Sequence, residues 1–303
     1  MEKRFTFESK ADRLKLHAWL IEPNGEKKGI IQILHGMCEY KERYEEFMRF
    51  FASHGYVAVC HDHRGHGDSV KDEADLGYFY DKTGKAIVDD AAQLTEFLKV
   101  EYPNLPVILF GHSMGSMVAR CYLRDYDYLI DKAIICGSPS ANPFCGAGIF
   151  LAKLISALRG DRHRSKLLAY LSTGKGAKRF EHEGVGAWLT HDRNCIEKFY
   201  QNPKGKHKFT CNGYENLLCL MKTTYTKEGY QVRKPNLPIH FVSGSEDAVL
   251  GGELQWMKSV ETSRDVGYQS VTGKLYEGLR HEIFNDIGKE EVYQDLLEFI
   301  EKA

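Results

Sequence analysis

The chain has 303 residues, 43% of them apolar and 27% charged, with a formal net charge of -1, a balance that supports a sizeable core and argues against disorder, a fibre or a marginal miniprotein. The near-neutral charge, with no basic cluster interleaved with stacking aromatics, excludes nucleic acid as a natural first partner. The longest strongly apolar stretch, residues 147 to 158, is interrupted by Lys153 and is shorter than the ~20 residues that cross a bilayer.

In chain order, Phe5-Thr6-Phe7-Glu8 and residues 15 to 21 alternate as an antiparallel hairpin at a sheet edge, with residues 10 to 13 as the turn. After Pro23-Asn24-Gly25 the strand 29 to 34 leads to a helix around residues 44 to 54 and a strand at 56 to 60. A helix from 87 to 100, a strand from 107 to 110, a helix from Met114 and a strand from 133 to 136 repeat the alternation. That rhythm predicts an α/β architecture: a mainly parallel sheet with helices on both faces. Strands at 239 to 242 and 270 to 276 flank an amphipathic helix at 253 to 264, and residues 290 to 302 read as the final helix, burying Val292, Leu296 and Phe299.

Between Pro139 and Tyr230 the strand rhythm stops, and helical stretches such as 149 to 158 and 214 to 221 suggest an insertion at residues 140–230, with 1–139 and 231–303 forming the core. From 140 to 230 there are fifteen Lys and Arg against seven Asp and Glu, so the insertion is basic while the rest of the chain is acidic. A solvated surface accounts for such a face; the sharper reading is attraction of an anionic substrate or of a membrane headgroup. The N-terminus lacks the apolar run and cleavage site of a secretory signal, and the eight cysteines form no Cys-x-x-Cys pair, which together predict a cytoplasmic, reducing setting.

The chemistry is carried by Gly111-His112-Ser113-Met114-Gly115, a Gly-x-Ser-x-Gly motif directly between a strand and a helix. The glycines permit a sharp turn that presents the Ser113 hydroxyl and leaves early helix N–H groups free. A serine hydroxyl needs a general base, and His281, in a turn after the last predicted strand, is the candidate. Asp247, in the loop after the strand 239 to 242, is the expected partner of the imidazole, with Glu246 as its neighbouring rival. An oxyanion formed by attack would be met by the backbone N–H groups of Met114 and Met37, the latter from the His35-Gly36-Met37 loop.

These motifs resemble the monoglyceride lipase and lysophospholipase branch of the α/β-hydrolases, a group that also includes serine aminopeptidase-like proteins. The resemblance rests on His35-Gly36-Met37-Cys38-Glu39-Tyr40 with Arg43-Tyr44, on Asp62-His63-Arg64-Gly65-His66-Gly67-Asp68-Ser69, on the Ser113 motif, on Ser243-Gly244-Ser245-Glu246-Asp247 and on Gly278-Leu279-Arg280-His281-Glu282. It implies an α/β-hydrolase fold with a mostly parallel eight-stranded sheet and a helical cap inserted after strand six, a Ser113–Asp247–His281 triad, and an oxyanion hole from the Met37 and Met114 amides. Cys38 and Tyr40 stand where many relatives have Gly and His.

The function so expected is serine carboxylester hydrolysis of monoacylglycerols or lysophospholipids through an acyl-enzyme, with no cofactor and no metal. Cys38, His112, Phe144, Ile149 and Leu154 are the expected pocket residues, and a transient contact between the cap and a membrane surface is expected. Alternatives are a small-ester carboxylesterase, an amide hydrolase using Glu181, Glu183 or Asp192 to anchor a substrate amine, and a non-catalytic lipid or protein binder. The cluster His61, Asp62, His63, His66 and Asp68 has ligand chemistry but reads as a hydrogen-bonded turn rather than a metal site. His35 reads as structural and Ser116 as packing.

Overall fold

Strand-forming runs, fully buried at residues 29–34, 56–61 and 107–112 and open to solvent at the edges, pair into one eight-stranded sheet in the computed structural model, which describes residues 1–174 and 178–302. The strands are β1 (Glu2–Glu8), β2 (Lys15–Ile21), β3 (Gly29–Leu34), β4 (Tyr56–His61), β5 (Val107–His112), β6 (Lys132–Cys136), β7 (Ile239–Gly244) and β8 (Val271–Tyr276). They lie in the order β1-β2-β4-β3-β5-β6-β7-β8. Only the pairings of β2, with β1 and with β4, are antiparallel; the other five are parallel. This is the α/β-hydrolase fold, and the Phe5 hairpin forms its edge.

Strand periodicity sends alternate side chains to opposite faces. Val107 and Leu109 of β5 join one apolar layer with α2 (Ala86–Glu101) and α3 (Met114–Tyr126), while Ile108 and Phe110 join the other with α1 (Glu45–Ser53). Between β6 and β7 come the helices α4 (Cys145–Arg159), α5 (Lys166–Ala169), α6 (Arg193–Gln201) and α7 (Cys211–Thr224). This is the helical insertion after strand six; residues 175–177 within the expected 140–230 span, and residue 303 of the expected core, lie outside the described residues. Helix α4 packs closely on α7, where a Cβ at Gly148 would stand 2.9 Å from Leu218 Cδ1. Finally, α8 (Glu253–Asp265) and α9 (Lys289–Glu301) cover opposite faces of the sheet.

Parallel strands all end at the same edge of the sheet, so the loops after β3, β5, β6, β7 and β8 converge there. That edge carries every residue of the expected site except those of the insertion.

Candidate active site

Strand β5 runs to His112, and the chain then reverses into α3 through Ser113, whose φ of 53° and ψ of -118° place a non-glycine residue in a strained conformation. The turn is possible because its flanks lack side chains: a Cβ at Gly115 would collide with the Leu34 carbonyl, and one at Gly111 with the Gly115 carbonyl. Ser113 N–H donates to the Cys136 carbonyl at 2.9 Å, which pins the elbow beside the end of β6. Ser116 is buried and gives its hydroxyl to the Ser113 carbonyl at 2.5 Å, consistent with a packing role.

His281 and Asp247 meet across the same edge, with Nδ1 of the ring 2.9 Å from Asp247 Oδ2. The other bonds to that carboxylate hold it in place: Ser243 Oγ–H donates to Oδ2 at 2.8 Å and Val249 N–H to Oδ1 at 2.9 Å. Glu246, the rival acid, instead lies 3.7 Å from Arg280 and 3.9 Å from His191. Burial on its own would lower the His281 pKa, but the Asp247 charge and hydrogen bond, helped by Glu282 and Glu39, outweigh it and raise it. Burial raises the Asp247 pKa, and His281 with the other donors overcomes this to hold it low.

The backbone of Gly137 links the two halves of the site. It follows the carbonyl that receives Ser113 N–H, and a Cβ there would lie 3.2 Å from His281 Nδ1 and 3.4 Å from Asp247 Oδ2. Ser113 Oγ has no hydrogen bond among the described residues; in free enzymes such contacts commonly tighten only when substrate is bound.

The loop after β3 approaches the elbow from the other side, close enough that a Cβ at Gly36 would stand 3.0 Å from Ser113 Cβ. His35 shapes this loop. Its Nε2 accepts His63 N–H at 2.9 Å, so the proton sits on Nδ1 and is donated to the Gly36 carbonyl at 2.8 Å. Burial holds its pKa down at about 3, so it is a neutral structural imidazole. Glu39 N–H closes the turn onto the same carbonyl at 3.3 Å. Because the peptide is planar and trans, these bonds aim the Met37 N–H. Neither that group nor Met114 N–H has a partner among the described residues, the condition required of oxyanion donors.

His112 is buried beside the elbow and His281. Its Nε2 lies 3.3 Å from the His281 carbonyl, its ring is 4.7 Å from the His281 ring, and its Nδ1 stands 3.1 Å from Glu39 Oε1 in a close but poorly directed contact. Glu39 also accepts Tyr44 O–H at 2.6 Å and Gly36 N–H at 3.2 Å. The sequence motif contained Glu39, yet its spacing to His112 gave no sign that the two meet.

Of the other expected pocket residues, Cys38 is buried, its Sγ–H donating to the His207 carbonyl at 3.2 Å across to the insertion. Phe144 and Leu154 remain 73% and 46% exposed and Ile149 is half-buried, so none of these three forms a closed channel wall. The reason is helical: α4 turns Cys145, Ala152 and Ser156 inward, leaving Phe150, Leu154 and Leu158 on the solvent side. An open cleft of about 480 Å³ lies between Tyr40, Arg43, Cys195 and Phe199, and is not lined by Ser113.

Asp62 is committed to its own turn, accepting from Lys41 N–H at 2.8 Å, Lys41 Nζ at 2.6 Å and Asp68 N–H at 2.8 Å. No group of three His, Cys, Asp or Glu side chains among the described residues is arranged to hold a metal ion.

Fold and elbow together define an α/β-hydrolase of the serine type. The sequence pattern of the serine aminopeptidase S33 family matches residues 25–288. The chain is 32% identical over 272 residues to monoglyceride lipase of Rattus norvegicus, covering 88% of this chain and 79% of that one. It is 24% identical over 280 residues to monoacylglycerol lipase of Mycolicibacterium smegmatis, covering 92% and 90%. A thermostable carboxyl esterase from Bacillus coagulans, solved in complex with glycerol, superposes with a TM-score of 0.87 at 26% identity, covering 99% of this chain and 97% of the other. The chain belongs to the serine aminopeptidase S33 family.

Proposed function

We propose that the protein is a serine carboxylester hydrolase acting on monoacylglycerols or lysophospholipids. The observation that carries this reading is the pair of unpartnered amides, Met37 and Met114, on either side of the strained Ser113, with the His281–Asp247 pair across the same edge. In the mechanism, Ser113 Oγ attacks the ester carbonyl as His281 Nε2 takes its proton, and Asp247 keeps the Nδ1 proton and offsets the imidazolium charge. The two amides receive the oxyanion. Collapse expels the alcohol, protonated by His281, and leaves the acyl group on Ser113; water, deprotonated by His281, then releases the acid.

The lipid substrate is supported by the names of the relatives and by the outer face of the insertion, where Phe144, Phe150, Leu154 and Leu158 are exposed beside Lys153 and Arg159. An apolar ridge with basic flanks suits a transient contact with an anionic lipid surface, and no helix among the described residues is long and apolar enough to span one. Eight free thiols fit a reducing, cytoplasmic setting. A second reading, amide hydrolysis, is favoured by the family's description. Against it, Glu183 is engaged by Arg280 and Asp192 caps α6, which leaves Glu181 to anchor an amine. The test is a turnover matrix of short and long acyl chains on glycerol, lysophosphatidyl, p-nitrophenyl and amide leaving groups. Long-chain glycerol or lysophosphatidyl esters should lead and Ser113→Ala should abolish turnover; activity surviving in pure Ser113→Ala, or amides outpacing matched esters, would overturn the proposal.

A further inference from the structure

The loop that carries His281 is tied to the insertion on both sides of the imidazole. On one side Arg280, a buried guanidinium, donates through Nη1 to the Ala187 carbonyl at 2.6 Å and through Nη2 to Glu183 Oε2 at 2.7 Å, with its Cζ 4.4 Å from the centroid of the Phe180 ring. On the other, Glu282 N–H donates to the Leu189 carbonyl at 2.7 Å. The insertion residue between those two carbonyls is Trp188, and its ring lies 5.3 Å from that of His281, the residue between the two donors. A third tether closes the loop: Asp286 accepts Arg280 N–H at 2.9 Å while also receiving His191 N–H at 2.7 Å and Thr190 Oγ–H at 3.0 Å.

A roof that only admits or excludes substrate has no need to bind the base. Here each neighbour of His281 is fixed to a cap carbonyl, and the ring itself is covered by a cap indole. We propose that the cap segment 183–191, acting through Arg280, positions the catalytic base, so that displacement of the cap and misalignment of His281 are one event. The inference rests on His281 being the base. Arg280 touches no reacting atom and is a positioning residue; its fork suits the task because two donors in one plane reach a carbonyl and a carboxylate at once, which a lysine ammonium cannot reproduce with the same geometry. Its Nε also lies 3.7 Å from Glu246, the neighbour of Asp247, so one side chain spans the loops of both acid and base.

A gate and a positioning strap differ in what they do to a substrate too small to need the cap. With p-nitrophenyl acetate, Arg280→Ala should lose kcat by about tenfold, short of the ~10²-fold that a 1 Å misplacement can cost, with KM changed less than about twofold. Arg280→Lys should recover part of the loss. As the ring loosens from Asp247, the acid limb of kcat/KM should move to lower pH in Arg280→Ala. Glu183→Gln, at the more exposed end of the fork, should give a smaller loss of the same sign in a chain of unchanged Tm. Full kcat on the acetate with a raised KM only for long-chain esters would overturn the proposal in favour of a gate. A lower kcat with an unmoved pH limb and a depressed Tm would overturn it in favour of general structural support. If Ser113→Ala kept acetate turnover, the underlying catalytic assignment would fail, a result distinct from either of these.

Discussion

Adding one methyl group at Gly36 tests whether the oxyanion loop is held as closely against the elbow as its geometry requires. The Cβ would stand 3.0 Å from Ser113 Cβ and 2.8 Å from Glu39 Oε1, whereas comfortable carbon contacts lie at roughly 3.5–4.0 Å. Something must therefore move by about 0.5–1 Å. Glu39 has little freedom, since it receives Tyr44 O–H and Gly36 N–H and lies against His112. Ser113 is anchored through its own N–H to Cys136. The strain falls on the Gly36–Met37 peptide, which carries one of the two proposed oxyanion donors. Loss of one such donor costs about 10²–10³ in kcat, and a displacement of this size belongs at the lower end, so Gly36→Ala should lose about 10²-fold in kcat, or ~2.7 kcal/mol of transition-state stabilisation. KM for a p-nitrophenyl ester should change less than threefold, and a boronic acid that mimics the tetrahedral state should lose affinity in parallel with kcat. A Gly36→Ala enzyme within threefold of the parent kcat would refute the assignment of Met37 N–H as a donor.

Two further outcomes follow from titration. His281 must be neutral to accept the Ser113 proton, and because Asp247 raises its pKa against burial, the acid limb of kcat/KM should have its midpoint above the ordinary histidine value of about 6.5; Asp247→Asn should lower kcat by about 10⁴ and shift that limb downward, and a parent limb at or below 6.5 would contradict the pairing. Stability has a different pH dependence. Burial holds His35, His61, His66 and His207 down to about 3, so between the unfolded value near 6.5 and about 3 the unfolded chain binds more protons and stability falls as pH drops, by up to ~1.4 kcal/mol per pH unit for each group. Urea midpoints should drop between pH 7 and 5, and His61→Leu, which replaces a ring with two buried unpartnered nitrogens, should flatten the decline; an unchanged slope would show that His61 contributes nothing to it.

Much of the molecule is legible in sequence because its signals are local. Val107 to Phe110 reads as a buried strand, Gly111 to Gly115 as an elbow, and each parallel strand announces where its loop will lie. The pairing of Asp247 with His281 follows from that geometry, since both end neighbouring strands. What is not legible comes from contacts of long range. Nothing near Arg280 signals that its guanidinium reaches Ala187 and Glu183, and nothing near Glu39 signals His112. Helix α6 escapes the sequence reading because Arg193–Gln201 is only nine residues long and poor in apolar residues, although Ile196 and Phe199 stand three apart as its buried anchors. Phe144 and Leu154 are apolar enough to suggest a lining, but hydrophobicity alone does not say which side of α4 meets α7.

The order in which residues 113, 247 and 281 leave the ribosome is fixed by their order in the chain. The elbow is flanked by β3, β5 and β6, all complete by residue 136, whereas the proposed acid and base follow β7 and β8 and arrive only with residues 247 and 281. A growing chain therefore holds its elbow serine before it holds either group that would activate it, and the proposed chemistry has to wait for the far margin of the sheet.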